Sequence, residues 1–228
     1  MSMPQQFDYS AFFSYRNREN DKPLKGFNGE MRLVKLICEE LSEQTDSRMG
    51  LKVFLDNEEI RIGNLFDTQI PQKLCKSVCM VAFYTPTYID STKTYCSREL
   101  CGMLQIEKVR QPFLKETYKG LIIPIMFRCS KEHIIIEELR SRKYFSFDEF
   151  DVSTDGRRIT PSKKFKKAIE EIAKIIHELK QSFHGQILDN CQDFKLPSAS
   201  DIENWIKKAP HIKSQQVVTN DPFPEMKM

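Results

Sequence analysis

The sequence lacks several features by which common protein classes are recognised. It has no run of about 18 apolar residues, so no membrane-spanning helix and no membrane partner are expected. It contains neither a GxGxxG motif nor a Walker loop, so any nucleotide would be held without those phosphate-binding loops. The 228 residues also contain no internal repeat and no low-complexity tract.

Charge of one sign is not in excess. The net charge is +3, from 35 basic and 32 acidic residues that are interleaved along the chain. Such a balance does not predict a nucleic-acid partner, which would require a basic face or stripe. The four histidines are scattered, and none has metal-ligand spacing to a cysteine or an acid, so no metal is predicted.

The seven cysteines are odd in number and form no CxxC pair. Several lie within apolar runs, so they are interpreted as reduced thiols packed as small hydrophobic side chains. The first residues lack a basic segment followed by an apolar one, so no signal peptide is expected. Together these features predict a cytoplasmic protein.

Strand-like and helix-like segments alternate along the chain. Strands are predicted over Phe7–Ser14, Leu51–Leu55, Val78–Tyr84, Leu121–Phe127 and Tyr144–Phe147. Helices are predicted over Asn28–Gln44, Leu65–Lys76, Thr94–Arg110, Lys131–Leu139 and Ser162–Phe183. This alternation predicts an α/β fold with a parallel sheet covered on both faces. The continuous apolar runs from Val78 and Leu121 are typical of strands buried on both sides.

The helix from Ser162 carries an apolar stripe, whose members are Phe165, Ile169, Ile172, Ile176, Leu179 and Phe183. Two interpretations fit this spacing. The stripe either packs on the sheet or, because its repeat is close to 3.5 residues, forms a seam for another helix or subunit.

The pattern weakens after Gly185. One more short helix is predicted over Ser200–Lys208, with Asp201 as a candidate N-cap and Trp205 as an anchor. The sequence therefore predicts a domain over residues 5–183, a C-terminal extension with some helix over 184–212, and a disordered tail over 213–228.

The most informative segment follows the strand that ends at Tyr84. A proline turn and a polar loop lead into a helix that opens with Tyr95 and Glu99, one turn apart on the same face. Open α/β sheets bind ligands just past the carboxyl ends of their strands. A carboxylate beside a flat ring suits an electron-poor sugar carbon with an aromatic leaving group. The alternative is a first-turn acid stabilised by the helix dipole.

Four motifs occur in the order in which Toll/interleukin-1 receptor (TIR) domains carry them. Asp8–Arg16 resembles their opening strand, and Leu51–Gly63 resembles their second strand and BB loop. Tyr95–Leu100 resembles the start of their third helix, and Gly120–Met126 resembles their fourth strand. The resemblance implies a flavodoxin-like fold with five parallel strands.

The resemblance also implies one of two activities. Some TIR domains cleave the nicotinamide–ribose bond of NAD, and bacterial members do so in defence against phage. Others are scaffolds, or effectors that mimic them, and act through assembly by the BB loop, which here spans Asn57–Asn64. A third possibility is a receptor that binds ADP-ribose without cleaving it. In the enzymatic case NAD is the substrate, no cofactor is needed, and a separate effector would respond to the product.

In the enzymatic branch of the family, a glutamate four residues after an aromatic residue is catalytic. Glu99 holds that position, and the aromatic residue is Tyr95 where the family usually has tryptophan. The resemblance implies that the tyrosine ring stacks on nicotinamide or adenine; the alternative is a half-buried surface ring. The BB loop has Ile62 where a proline usually precedes the glycine, here Gly63.

The remaining predicted NAD contacts follow the first two strands. Arg16 would pair with the pyrophosphate through its guanidinium group, although a solvated arginine at a strand end is the alternative. Ser14 and Tyr15 lie at the same strand end and would offer hydroxyl groups.

Asp56 would bond a ribose hydroxyl or hold the BB loop, and turn chemistry alone also explains an aspartate there. Leu65 would make an apolar contact with the ligand or face the core. Cys96 is expected to be buried rather than nucleophilic, because it shares the apolar face of its helix.

Overall fold

Five strands form one sheet in the computed structural model, which describes residues 7–16, 27–55, 66–89, 94–116, 118, 120–130, 137–150, 161–183 and 191–208. The strands are β1 Tyr9–Tyr15, β2 Val53–Leu55, β3 Ser77–Tyr84, β4 Ile122–Met126 and β5 Phe145–Ser146. The helices are α1 Phe27–Met49, α2 Phe66–Cys75, α3 Tyr95–Arg110, α4 Glu137–Arg140, α5 Lys163–Ser182 and α6 Ala199–Lys208.

All the strand pairs are parallel, and the strand order is β2-β1-β3-β4-β5. This is the order of flavodoxin-like folds, so the predicted fold class is confirmed. Ser14 of β1 is level with Ala82 of β3, and Tyr15 is level with Phe83. The two central strands therefore end side by side, at the edge of the sheet where such folds bind their ligands.

Most predicted element bounds that fall on described residues agree with the structure to within two residues. The helix predicted over Asn28–Gln44 is the main exception, because it continues to Met49. It ends at Gly50, whose φ of 65° and N–H hydrogen bond to the Asp46 carbonyl are typical of a glycine helix cap. The apolar pattern did not predict this extension, because the mostly polar residues of the last turn continue the helix but not its apolar stripe.

The apolar stripe of α5 lies in the core. All six of its members are buried, and the helix packs on α1 and on strands β1 and β3. The first interpretation of the stripe is therefore confirmed. Of the second interpretation, the contact with another helix is present, since α5 packs on α1, and the seam for another subunit was wrong. Ser162 is the N-cap of this helix, since its Oγ accepts a 3.1 Å hydrogen bond from the N–H of Phe165.

A disulfide bond between Cys75 and Cys191 joins the end of α2 to the C-terminal extension. The expectation that all seven cysteines are reduced was wrong for this pair, because 116 residues separate the two in sequence and only the folded chain makes them neighbours. The other five cysteines, at positions 38, 79, 96, 101 and 129, form no disulfide bond.

The extension packs against α2 and α3. A Cβ atom at Gly102 of α3 would lie 2.5 Å from the Leu196 side chain and 3.1 Å from that of Leu74, so the extension packs closely on the helix at this glycine. Ile202 of α6 is buried, and Trp205 is half-buried against the core. The extension therefore belongs to the same packed body as the sheet, as far as residues 191–208 describe it.

The predicted helix near the C-terminus is present, but its cap differs from the prediction. The Asp201 carboxylate accepts a 3.1 Å hydrogen bond from the Ser198 N–H, and the Ser198 Oγ accepts a 3.2 Å bond from the Asp201 N–H. This reciprocal pair makes Ser198 the N-cap and Asp201 the N3 residue of a capping box. Hydrogen bonds from Ser198 lower the pKa of Asp201. The predicted tail, residues 213–228, lies outside the described residues.

No helix in the described part of the chain is both long enough and apolar enough to cross a membrane. Within the same residues, no group of three or more His, Cys, Asp or Glu side chains is placed to hold a metal ion.

Candidate active site

The first turn of α3 meets the end of β1. The Oγ atom of Ser14, the second-last residue of β1, donates a 2.6 Å hydrogen bond to Oε2 of Glu99. These residues are 85 positions apart, and both side chains are buried, with Ser14 fully enclosed and Glu99 5% exposed. The predicted catalytic glutamate thus lies at the carboxyl edge of the sheet, beside a predicted NAD contact.

A third side chain continues this hydrogen-bond chain. The hydroxyl of Tyr88 lies 2.7 Å from Ser14 Oγ, and Tyr88 is fully buried in the loop between β3 and α3. Its ring packs at a tilt on the ring of Tyr84, with 5.0 Å between the ring centres. The serine hydroxyl therefore lies between a phenol and a carboxylate.

Burial raises the pKa of the Tyr88 phenol well above its ordinary value, and the nearby Cys96 thiol and Glu99 carboxylate raise it further. The hydrogen bond with Ser14 acts in the opposite direction but is the weaker influence. Tyr88 consequently keeps its proton at neutral pH and can donate a hydrogen bond.

Cys96 is buried beside this site, as predicted. Burial is the main cause that raises the pKa of its thiol, and the negative charge of Glu99 adds to it. The positive charge of Arg16 lowers the thiol pKa but does not offset burial. Because a nucleophilic cysteine must be a thiolate, this environment does not favour nucleophilic chemistry at Cys96.

Arg16 is half-buried directly after β1. Its Nη1 atom donates a 2.7 Å hydrogen bond to the carbonyl oxygen of Thr87, in the same loop as Tyr88. Tyr15 is buried and is 8% exposed. The guanidinium is thus held beside the β3–α3 loop, and its charge acts on the site.

Tyr95 differs from its neighbours because 56% of it is exposed. One turn of α3 thus presents a ring to solvent and a carboxylate to the interior. Asp56, Leu65 and the BB loop lie outside the described residues.

Comparison with known proteins shows which family the chain belongs to. The TIR domain model matches residues 27–160, more than half of the chain. The chain belongs to the TIR domain family. Among curated relatives of this TIR protein is the probable 2′ cyclic ADP-D-ribose synthase BdTIR of Brachypodium distachyon, 24% identical over 130 residues. That match covers 57% of this chain and 46% of the relative, so the chain spans about half the relative's length.

Among solved structures, this TIR protein is similar to the TIR domains of the activated Roq1 resistosome that directly recognises the pathogen effector XopQ. The match covers 88% of this chain and 98% of that one, with 16% identity and a TM-score of 0.38.

Tyr88 was not among the residues predicted for the site. It lies in the Thr85–Tyr88 turn after β3, which the sequence shows only as a polar loop with a proline. An aromatic residue at a strand's carboxyl end was a weak signal that could have indicated it. The same turn contains two further buried hydroxyl groups, of Thr85 and Thr87, that have no hydrogen-bond partner among the described residues.

The arrangement places one carboxylate in a buried setting, where it accepts a hydrogen bond from a hydroxyl of β1. Arg16 is a cation near that site, and the exposed ring of Tyr95 lies one helical turn before the carboxylate. Such a site can stabilise positive charge on a substrate, because a buried carboxylate interacts more strongly than one in water.

Proposed function

We propose that this TIR protein cleaves the nicotinamide–ribose bond of NAD, with Glu99 as the catalytic carboxylate. The observation that carries the proposal is the 2.6 Å hydrogen bond between Ser14 and Glu99, which fixes the carboxylate at the ligand-binding edge of the sheet. The name of the curated relative, a cyclic ADP-ribose synthase, supports the same chemistry.

In the proposed reaction the bond between ribose C1′ and the nicotinamide nitrogen breaks. The bonding electrons leave with nicotinamide, which departs as a neutral molecule, so no general acid is required for the leaving group. Positive charge develops on the ribose, as in glycoside hydrolysis, and the Glu99 carboxylate stabilises it. A water molecule then adds to C1′ and releases a proton, which yields ADP-ribose; attack by a hydroxyl of ADP-ribose itself would yield a cyclic isomer.

The roles of the other site residues are assigned from the chemistry of their side chains. The exposed ring of Tyr95 would stack on nicotinamide or adenine. Arg16 would pair with the pyrophosphate, since guanidinium binds such oxyanions through two hydrogen bonds. Ser14 acts through Glu99, because its hydroxyl is enclosed and already bonded. Tyr15, Asp56 and Leu65 remain proposed NAD contacts.

The product would be an ADP-ribose-derived signal read by a separate effector in cytoplasmic anti-phage defence, or NAD depletion would itself be the response. Self-association through the BB loop, Asn57–Asn64, would complete the active form. The relative named as a cyclic ADP-ribose synthase supports the signal over depletion.

The test is nicotinamide release from millimolar NAD, followed by chromatography at several protein concentrations. We expect Glu99→Gln, which removes the charge but keeps the shape, to lower the rate by on the order of 100-fold or more. Glu170→Gln on the exposed face of α5 is the matched control and should keep wild-type activity. Mass spectrometry of the product separates hydrolysis from cyclisation or transfer.

Equal release by wild type and Glu99→Gln would refute the catalytic role of the carboxylate. No release by any form, even when concentrated or crowded, would refute the enzyme and leave the assembly scaffold as the function to test.

A further inference from the structure

The hydrogen-bond chain at the site has a direction. An ionised carboxylate only accepts hydrogen bonds, so the single hydroxyl hydrogen of Ser14 points to Glu99. The hydrogen between Ser14 and Tyr88 must then belong to the phenol. Tyr88 therefore donates to Ser14, and Ser14 donates to Glu99.

Each residue of this hydrogen-bond chain belongs to a different structural element. Ser14 is on β1, Tyr88 is in the loop after β3, and Glu99 is on α3. Neither Ser14 nor Tyr88 has exposed surface. These hydrogen bonds thus tie the candidate catalytic carboxylate to β1 and to the loop after β3 through two side chains that are fully buried.

We infer that Tyr88 is a positioning residue, which orients the Glu99 carboxylate by fixing the hydroxyl of Ser14. This inference rests on the proposed NAD-cleaving function and adds a residue to it. A hydroxyl rotates freely about its C–O bond unless its oxygen is itself bonded, and the Tyr88 phenol supplies that bond. The retained phenol proton keeps Tyr88 a donor at neutral pH, because burial holds its pKa well above the ordinary value.

Such a role predicts a specific pattern of changes in kcat and KM. Tyr88 would change how well the carboxylate is aligned with C1′ and would leave the surfaces that bind NAD untouched. A misplacement of a reacting group by about 1 Å costs up to roughly 100-fold in rate. Loss of the phenol hydroxyl should therefore lower kcat and leave KM nearly unchanged.

The first experiment compares Tyr88→Phe with Tyr118→Phe in the nicotinamide-release assay. Tyr118 is the matched control, because its hydroxyl also bonds a glutamate, Glu178, at a place remote from the site. We expect kcat to fall on the order of 10-fold to 100-fold for Tyr88→Phe, with KM within about two-fold of wild type. Tyr118→Phe should keep both constants.

The second experiment uses two variants of equal shape, Ser14→Thr and Ser14→Val. Both add the same bulk to the enclosed position, and threonine alone keeps the hydroxyl. We expect Ser14→Thr to retain more kcat than Ser14→Val by on the order of ten-fold. The same pair at Ser10, whose hydroxyl bonds Thr45 earlier on the same strand, should show no such difference.

The outcomes separate this inference from the proposed function. If wild type is active, Glu99→Gln is inactive and Tyr88→Phe keeps wild-type kcat, Tyr88 does not position the carboxylate while the function stands. A rise in KM alone would likewise overturn the inference, since it would mean contact with substrate. If Tyr88→Phe fails to fold, equal kcat for Ser14→Thr and Ser14→Val overturns the inference. Inactivity of wild type overturns the function and this inference with it.

Discussion

The Nε atom of Arg98 donates a 2.7 Å hydrogen bond to the carbonyl oxygen of Pro197. Arg98 directly precedes Glu99, so the helix that carries the candidate catalytic residue is also bonded to the C-terminal extension. Leu196 closes over Gly102 one turn later on the same helix. The extension therefore helps to fix the position of α3 relative to the sheet.

The disulfide between Cys75 and Cys191 should stabilise the protein by holding that extension in place. Reduction, or the Cys191→Ser substitution, should lower the free energy of unfolding by about 2–4 kcal/mol, since the bond closes a long loop. Urea denaturation with and without reductant measures this change. Cys101→Ser is the matched control, and its free energy of unfolding should still fall when reductant is added, as it does for wild type. Alkylation of the denatured, non-reduced chain should label the five cysteines outside the disulfide bond, and labelling of all seven would contradict the bond.

A partly buried ion pair joins α3 to the segment before β5. Arg142 contacts both carboxylate oxygens of Glu107, at 2.9 and 2.6 Å, and Glu107 also accepts the N–H of Leu121. Arg142→Ala would leave the buried carboxylate without its cation, so we expect a loss of about 3–5 kcal/mol in unfolding free energy.

The exposed pair of Arg48 with Glu170 at 3.5 Å is the comparison for that measurement. Arg48→Ala should cost less than about 1 kcal/mol, because water screens an exposed pair. Similar losses for the two substitutions in urea denaturation would show that the burial of the Glu107–Arg142 pair does not matter.

Tyr95 should affect substrate binding and leave stability unchanged. Its ring is 56% exposed, so Tyr95→Ala should leave the melting temperature nearly unaltered. Loss of a stacking ring should raise KM for NAD roughly ten-fold, and Tyr95→Trp should lower it. Steady-state nicotinamide release checks this, with Val109→Ala, another exposed side chain of α3, as the control. An unchanged KM for Tyr95→Ala would remove Tyr95 from the site.

Alkaline pH should destabilise the fold through its buried thiols. Burial raises the pKa of Cys79 far above its usual range, and the charge of Arg110 only partly opposes this. The native thiol thus keeps its proton while the unfolded one ionises above about pH 8.5. Stability from this thiol is complete below that pH and falls by about 1.4 kcal/mol per pH unit above it.

Urea denaturation between pH 7 and pH 10 tests the effect of Cys79. Cys79→Ala should show a shallower loss of stability with rising pH than wild type, because one buried thiol no longer titrates. Cys129→Ala, which removes a half-buried thiol, is the control. Parallel pH dependence in wild type and Cys79→Ala would contradict the assignment.

The order of strands and helices could be predicted from the sequence because it depends on local periodicity. The apolar runs of β3 and β4 and the stripe of α5 are written in residues a few positions apart. The same holds for Tyr95 and Glu99, because a spacing of four residues along one helix is a local feature of the sequence. Family resemblance then indicated which carboxylate to consider.

Only the tertiary structure decided what surrounds that carboxylate. Ser14 lies 85 residues from Glu99 and 74 from Tyr88, and Cys75 lies 116 residues from Cys191. No periodicity links positions so far apart, because their contact depends on the path of the whole chain through the sheet. Sequence alone therefore determined the elements and the candidate site residues, and the parallel packing of β1 against β3 decided which side chains meet the Glu99 carboxylate.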